Sequence, residues 1–183
     1  GYSQFPSNFY RSPLGVDSTI FTPTGATKRF TILTSGRHAL TESTKEAVVA
    51  TQRVGGFVAH LGHDLRRDRV WSFTGLGDGA LSELYSQSYY VSGLRRVEGF
   101  ELPAAEGLMC GARPIMFDQP HYRYWFNKWA IFIPEGDRDE VSNSLEEVFR
   151  SKYLPVTVDE IEEAKHLFDW GRIAHGFWSR IIS

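Results

Sequence analysis

The sequence predicts an α/β domain, a parallel sheet covered by helices on both faces. Two observations carry that expectation. Apolar, β-rich runs recur near residues 30, 57, 71, 90, 114 and 131, and they read as near-continuous apolar stretches, the pattern of strands buried on both sides. Most of them are separated by segments with helical spacing and helix-start signals, the alternation that yields a parallel sheet. A length of 183 residues fits one such domain, long enough to bury roughly 70% of the surface its unfolded chain would expose. No internal repeat or low-complexity tract interrupts the pattern.

Residues 1–8 are small, polar and aromatic without a period and read as an irregular lead-in; a glycine in first place suggests a fragment or a processed chain. We expect residues 1–22 to be a lead-in or interdomain linker and 23–183 the domain proper. Phe30-Thr31-Ile32-Leu33-Thr34 forms the first strand, ended by Gly36 and Arg37. Ser43-Thr44-Lys45-Glu46 predicts a capping box, with Ala47, Ala50, Thr51 and Val54 following on one helical face. Lys45 then stands in the first turn, where its charge opposes the helix dipole; that placement makes sense if an anion binds there. Residues 56–61 form the second strand. His60, His63 and Asp64 are close together without a distant fourth ligand, so packed or exposed histidines are expected in preference to a metal site.

A charged loop over 65–69 leads to a third strand over 70–74. Gly75-Leu76-Gly77-Asp78-Gly79 follows. It matches a dinucleotide fingerprint only loosely, because its third glycine comes one residue early and it follows the third strand instead of the first. A helix over 80–87 and a short strand over 89–91 come next. Glu98 then falls in a loop and Glu106 inside a helix over 102–110: Pro103 suits the first helical turn and Gly111 the position just past the end. The loop carrying Glu98 opens onto the positive end of that helix, where a hydroxyl or anion would meet backbone N–H groups as well as carboxylates.

Residues 113–117 and 130–134 are the last strands. Between them Tyr122, Tyr124, Trp125, Phe126 and Trp129 crowd a short helix; such clusters stack on sugars but more often fill cores. Asp137-Arg138-Asp139 reads as the acidic start of a helix over 141–150, and Thr157-Val158-Asp159-Glu160 as a capping box. A final aromatic helix carries Ile173, Phe177 and Trp178.

Composition excludes several classes. A formal charge of -2 gives no basic excess, so no nucleic acid is expected. The single cysteine, Cys110, can form no internal disulfide, which suits a reducing, cytoplasmic setting. No apolar run approaches the ~20 residues that cross a bilayer; peripheral membrane contact stays open.

Glu98-Gly99-Phe100, Leu102-Pro103, Glu106 and Met109-Cys110-Gly111 followed by Pro114 resemble the glutamate-seven-glutamate motif of retaining GT-B glycosyltransferases of the GT4 type. In that group the motif lies in the C-terminal, nucleotide-sugar-binding domain. Pro13-Leu14-Gly15-Val16-Asp17, then Phe21 and Pro23, is similar to the signature that opens this domain, with Leu14 where asparagine is usual. The resemblance runs over 13–178 and implies one Rossmann-like half of a GT-B enzyme, with 23–183 as the nucleotide-sugar-binding domain.

It also implies roles. Glu98, Arg37 and Lys45 would be the catalytic group, Glu98 holding the sugar while Arg37 and Lys45 stabilise the departing diphosphate. Gly36, Gly75, Leu76, Gly99, Phe100 and Glu106 would bind the donor, Glu106 through the ribose hydroxyls and Gly75 and Leu76 at the nucleobase. No metal and no cofactor beyond the donor substrate are implied. Glu101 stands where the family commonly has glycine, and Ser92 to Arg96 replaces a Pro-Ser near the motif; both bear on the sugar. The implied partner is an N-terminal acceptor domain or a second chain, since this length has no room for the acceptor half. Two alternatives stay open: a non-catalytic nucleotide-sugar-binding module or subunit of a two-chain enzyme, and an NAD-dependent oxidoreductase suggested by the glycine turn at 75–79.

Overall fold

The computed structural model describes residues 12–36 and 42–182. Along them run β1 (Phe30–Ser35), α1 (Thr44–Arg53), β2 (Val58–Leu61), β3 (Val70–Phe73), α2 (Asp78–Ser86), β4 (Ser88–Gly93), α3 (Leu102–Met109), β5 (Arg113–Phe117), α4 (Pro120–Phe126), β6 (Ile131–Ile133), α5 (Arg138–Arg150), α6 (Val158–Phe168) and α7 (Trp170–Ile182). The strands form one six-stranded sheet in the order β3-β2-β1-β4-β5-β6, and every pairing is parallel. The chain therefore starts mid-sheet, winds outward to β3, returns to β4 and winds the other way. Where that reversal falls, between β1 and β4, the loops leaving the carboxyl ends diverge and open a crevice.

Strand burial follows from the sequence runs. Ile32, Leu33, Val91, Ile115, Met116 and Phe117 have no exposed surface, as strands covered on both faces require. Right-handed crossovers put α1 on one face and α2 and α3 on the other; α5 packs beside α1, and α6 beside α3. Gly107 sets how closely α3 lies on β4. A Cβ there would stand 2.6 Å from a Val91 methyl, so a larger residue would lift the helix that carries Glu106. Gly111, at φ +83°, turns the chain out of α3 in the left-handed conformation glycine adopts without strain.

Arg113, nearly buried, ties the amino end of β5 to its surroundings. Its guanidinium donates to the carbonyls of Trp129 (2.8 Å), Leu154 (2.8 Å) and Pro155 (2.9 Å) and pairs with Glu160 at 3.0 Å. Those bonds satisfy every side of a planar fork that burial would otherwise penalise.

The helix starts are mixed in outcome. Thr157 and Glu160 form the expected capping box on α6, and Asp137 with Glu140 forms one on α5. The box expected at Ser43 and Glu46 does not form. Ser43 makes no capping bond and its hydroxyl is buried without a partner, while the buried Glu46 turns to Arg138 of α5 at 3.5 Å. Glu46 lies on the face of α1 that packs on α5, and a cation across that contact outcompetes the local backbone.

The described part of the expected linker is packed on the domain. Val16 and Phe21 are buried, the Val16 N–H donates to the Phe168 carbonyl at 2.8 Å, and the Trp170 N–H donates back to Val16 at 2.9 Å.

Candidate functional site

The carboxyl ends of β1, β2 and β3 border a cleft of about 790 Å³. Ser35 and Gly36 leave β1, Leu61, Gly62 and His63 leave β2, and Phe73, Thr74, Gly75 and Leu76 leave β3; Glu42 and Arg95 stand across the switch point. This is where open α/β sheets hold ligands.

Glu42 and Arg95 organise the gap between β1 and β4. They form an isolated antiparallel bridge, and their side chains pair at 3.4 Å. Gly36 makes room for this, since a Cβ there would overlap the Glu42 carboxylate. Arg95 also pairs with Glu98 at 3.2 Å and with Glu101 at 3.5 Å, so three carboxylates converge on one guanidinium. Burial works against its charge, yet Glu101, Glu42 and Glu98 carry its pKa above the usual arginine value.

Glu101, which stands where the resembled family has glycine, does not enter open space. It is 1% exposed, with one oxygen near Arg95 and 3.4 Å from the Tyr122 hydroxyl and the other without a hydrogen bond. Burial pushes its carboxyl up to about 7, against the pull of Arg95.

Glu98 is exposed and turns back to accept from the Gly99 N–H at 3.0 Å while holding Arg95. Glu106, just past the first turn of α3, lies toward α2. It accepts from the Tyr85 hydroxyl at 2.8 Å. Burial pushes it up to about 7, the Tyr85 bond pulling it back and Asp78 adding to the rise. Asp78 opens α2 just beyond Gly75 and Leu76, so Glu106 sits on the side of the site nearest that glycine turn.

Among the residues anticipated from sequence, Gly36, Gly75 and Leu76 line the cleft together, and Glu98 with Gly99 joins it through Arg95. Phe100 turns its ring toward the core, 5.4 Å from Phe126 and 5.7 Å from Phe168, and stays partly exposed. Lys45 lines a neighbouring groove of about 490 Å³ between α1 and α5 that shares His63 with the cleft. Arg37 lies outside the described residues.

Glu42, Arg95 and Tyr85 are site-forming groups that sequence reasoning did not single out; the departure at Ser92 to Arg96 was the available signal for Arg95. His60, beneath Gly62, was anticipated as a packed or exposed histidine. It is buried on β2, with Nδ1 3.0 Å from the Thr34 hydroxyl and Nε2 without a partner. Burial, and then His63, hold its pKa below the ordinary value.

No protein-family model and no curated protein matches the sequence. Solved structures match in fold. A sucrose-phosphate synthase from Thermosynechococcus elongatus superposes with a TM-score of 0.72 at 18% identity, over 93% of this chain and 51% of its own. AviGT4, a glycosyltransferase involved in avilamycin A biosynthesis, gives 0.71 at 14% identity, over 95% and 57%. The pneumococcal O-GlcNAc transferase GtfA, in complex with UDP and GlcNAc, gives 0.68 at 17% identity, over 93% and 38%. The fold is that of one half of a GT-B glycosyltransferase, and this chain spans between about a third and rather more than half of each matched chain. An NAD-dependent oxidoreductase is not favoured: the glycine turn follows the edge strand β3, whereas a dinucleotide fingerprint follows β1.

Proposed function

We propose that this chain is the donor-binding, C-terminal half of a retaining GT-B glycosyltransferase of the GT4 type, which transfers a sugar from a nucleotide diphosphate to an acceptor hydroxyl. The observation that carries the reading is the switch-point cleft itself, lined by Gly36, Gly75 and Leu76 and by Arg95, to which the motif Glu98 is paired at 3.2 Å. Glu98 accepts from Arg95 and from the Gly99 N–H, and Glu106, outside the cleft lining, is bonded to Tyr85 of α2, the helix that Asp78 opens beyond Gly75 and Leu76.

In this reading Glu106 accepts from the ribose hydroxyls, Gly75 and Leu76 meet the base, and Glu98 with the Gly99 and Phe100 backbone holds the sugar. The diphosphate lies after Gly36, toward the α1 N-terminus. That terminus has no side-chain cap, so its first N–H groups and dipole are available to an anion. Charge develops on the departing phosphate oxygens, and Arg37 and these N–H groups stabilise it in the transition state, with Lys45, in the groove beside the cleft, adding its positive charge at longer range.

A partner half belongs to the same reading. Helix α7 has no buried residue, and Trp170, Trp178 and Ile181 are each more than half exposed, an apolar face of the kind that marks an interaction surface. One of the matched structures is a GtfA/B complex, of which this chain covers 38% of one chain; that supports a partner that is either a further domain or a second chain, and in the second case this chain can be a non-catalytic subunit. Transfer or donor hydrolysis by this chain alone would exclude the non-catalytic role.

The test is a calorimetric panel of UDP, GDP and ADP with their sugar conjugates. One nucleotide series should be preferred, and Arg37→Ala and Glu106→Gln should each weaken it by about tenfold or more, as the loss of a charged hydrogen bond predicts. Equal indifference to all the ligands, or unaltered binding in both variants, would sink the assignment.

A further inference from the structure

The aromatic segment after β5 divides in two. Tyr122, Phe126 and Trp129 enter the core, Phe126 stacking on Phe168 at 5.2 Å. Tyr124 and Trp125, with an edge of Trp129 and Leu167, line a groove of about 440 Å³ between α4 and α6; the Tyr124 and Trp125 rings lie edge to face with centroids 4.7 Å apart, and Trp125 rests its inner side on Phe100 at 6.0 Å. Tyr124 is 58% exposed and Trp125 partly so. Helix α4 runs from the carboxyl end of β5 to the amino end of β6, and the groove lies at its far end, away from the switch-point cleft.

Around the rings stand Asn127, Lys128, Glu163 and His166. This rim supplies donors and acceptors without a net charge: Lys128 and Glu163 pair with each other at 3.1 Å and are both more than half exposed. Such a pair contributes little to stability and can open toward a ligand at small cost. The charge of Lys128 is balanced by Glu163, so no net cation is left to hold a phosphate, and the lining is half aromatic or aliphatic (Tyr124, Trp125, Trp129, Leu167) and half polar. A neutral, hydroxyl-rich molecule with apolar faces matches both halves.

We propose that this groove is a carbohydrate-binding site for a neutral oligosaccharide, separate from the donor cleft. The C–H faces of the sugar rings lie against Trp125 and Tyr124, whose π faces carry the negative part of the ring quadrupole. The hydroxyls exchange hydrogen bonds with Asn127, Lys128, Glu163 and His166. The volume falls within the roughly 300–1,000 Å³ of small-molecule sites. Such a site would hold a saccharide acceptor or product to the domain without taking part in the chemistry, and it stands or falls independently of the cleft reading because it needs no nucleotide.

The experiment is an NMR titration of the ¹⁵N-labelled chain with maltohexaose, cellohexaose and chitohexaose, following the tryptophan indole signals. At least one of these sugars should move the Trp125 signal saturably. Trp125→Ala should weaken that binding by about tenfold or more, with Trp125→Phe retaining most of it, as expected for a stacking platform. Should Trp125→Ala unfold, the exposed double change Lys128→Ala with Glu163→Ala reads the same site and should weaken binding about threefold or more. No movement of Trp125 with any of the three sugars, or affinity unaltered by these changes, overturns the proposal. Displacement of the sugar by UDP also overturns it, because that would put the sugar in the cleft.

Discussion

Glu106 shows what a single side chain can and cannot disclose from sequence. Its distance from Glu98 and its place within a helix were legible, because both are local. The Tyr85 hydroxyl that bonds it comes from α2, and its burial depends on α2 and α3 meeting; neither is written near residue 106. That burial has a measurable consequence. Its carboxyl is held at about 7 in the folded chain, above the ordinary glutamate value near 4.5, so the folded state keeps a proton that the unfolded state releases. Stability is therefore fully present below about pH 4.5, falls between there and pH 7, and stays low above it. Glu106→Gln keeps an acceptor for Tyr85 and removes the titration. The variant should match the parent near pH 4 and exceed it at pH 8 by a margin of order 1–3 kcal/mol, read from urea unfolding at both pH values. Glu101 titrates in the same window but is present in both proteins, so the difference isolates Glu106. An equal margin at both pH values would show that its carboxyl is not held protonated.

The two Ser/Thr-x-x-Glu sequences at 43–46 and 157–160 make the corresponding point for elements. Both are local helix-start signals of the same kind, and only the second closes its box. At α6 the Thr157 hydroxyl accepts from the Glu160 N–H at 3.2 Å and the Glu160 carboxylate accepts from the Thr157 N–H at 2.7 Å. At α1 the glutamate faces α5 and is drawn to Arg138, leaving Ser43 with a buried, unpartnered hydroxyl. Thr157→Ala should therefore cost about 1 kcal/mol. Ser43→Ala should be neutral or stabilising, because it removes an unsatisfied buried hydroxyl. Chemical denaturation of the two variants separates them; equal losses would mean that Ser43 caps α1 after all.

At the scale of the molecule, the sheet, the crevice and the face of α7 belong together. The apolar face of α7 asks for a cover, and the chain spans only 38–57% of the solved proteins cited above. The isolated chain should consequently self-associate as its concentration rises in sedimentation velocity. Trp178→Asp should suppress that association while leaving unfolding within about 0.5 kcal/mol of the parent, as for a surface change. A parent chain monomeric at every concentration, or a variant that loses stability, would show that α7 is already covered. What the residue order determined by itself was the succession of strands and helices, the position of the motif glutamates on loop and helix, and the cap at Thr157. Each depends on side-chain period and backbone geometry within a few residues. Only the tertiary structure decided that Arg95 gathers Glu42, Glu98 and Glu101, that Lys45 faces a different groove from Gly75, and that Tyr124 stays more than half exposed while Tyr122 and Phe126 beside it enter the core. Those outcomes depend on which surfaces meet across the sheet and between helices, where burial and the charges of sequence-distant residues outweigh local preference.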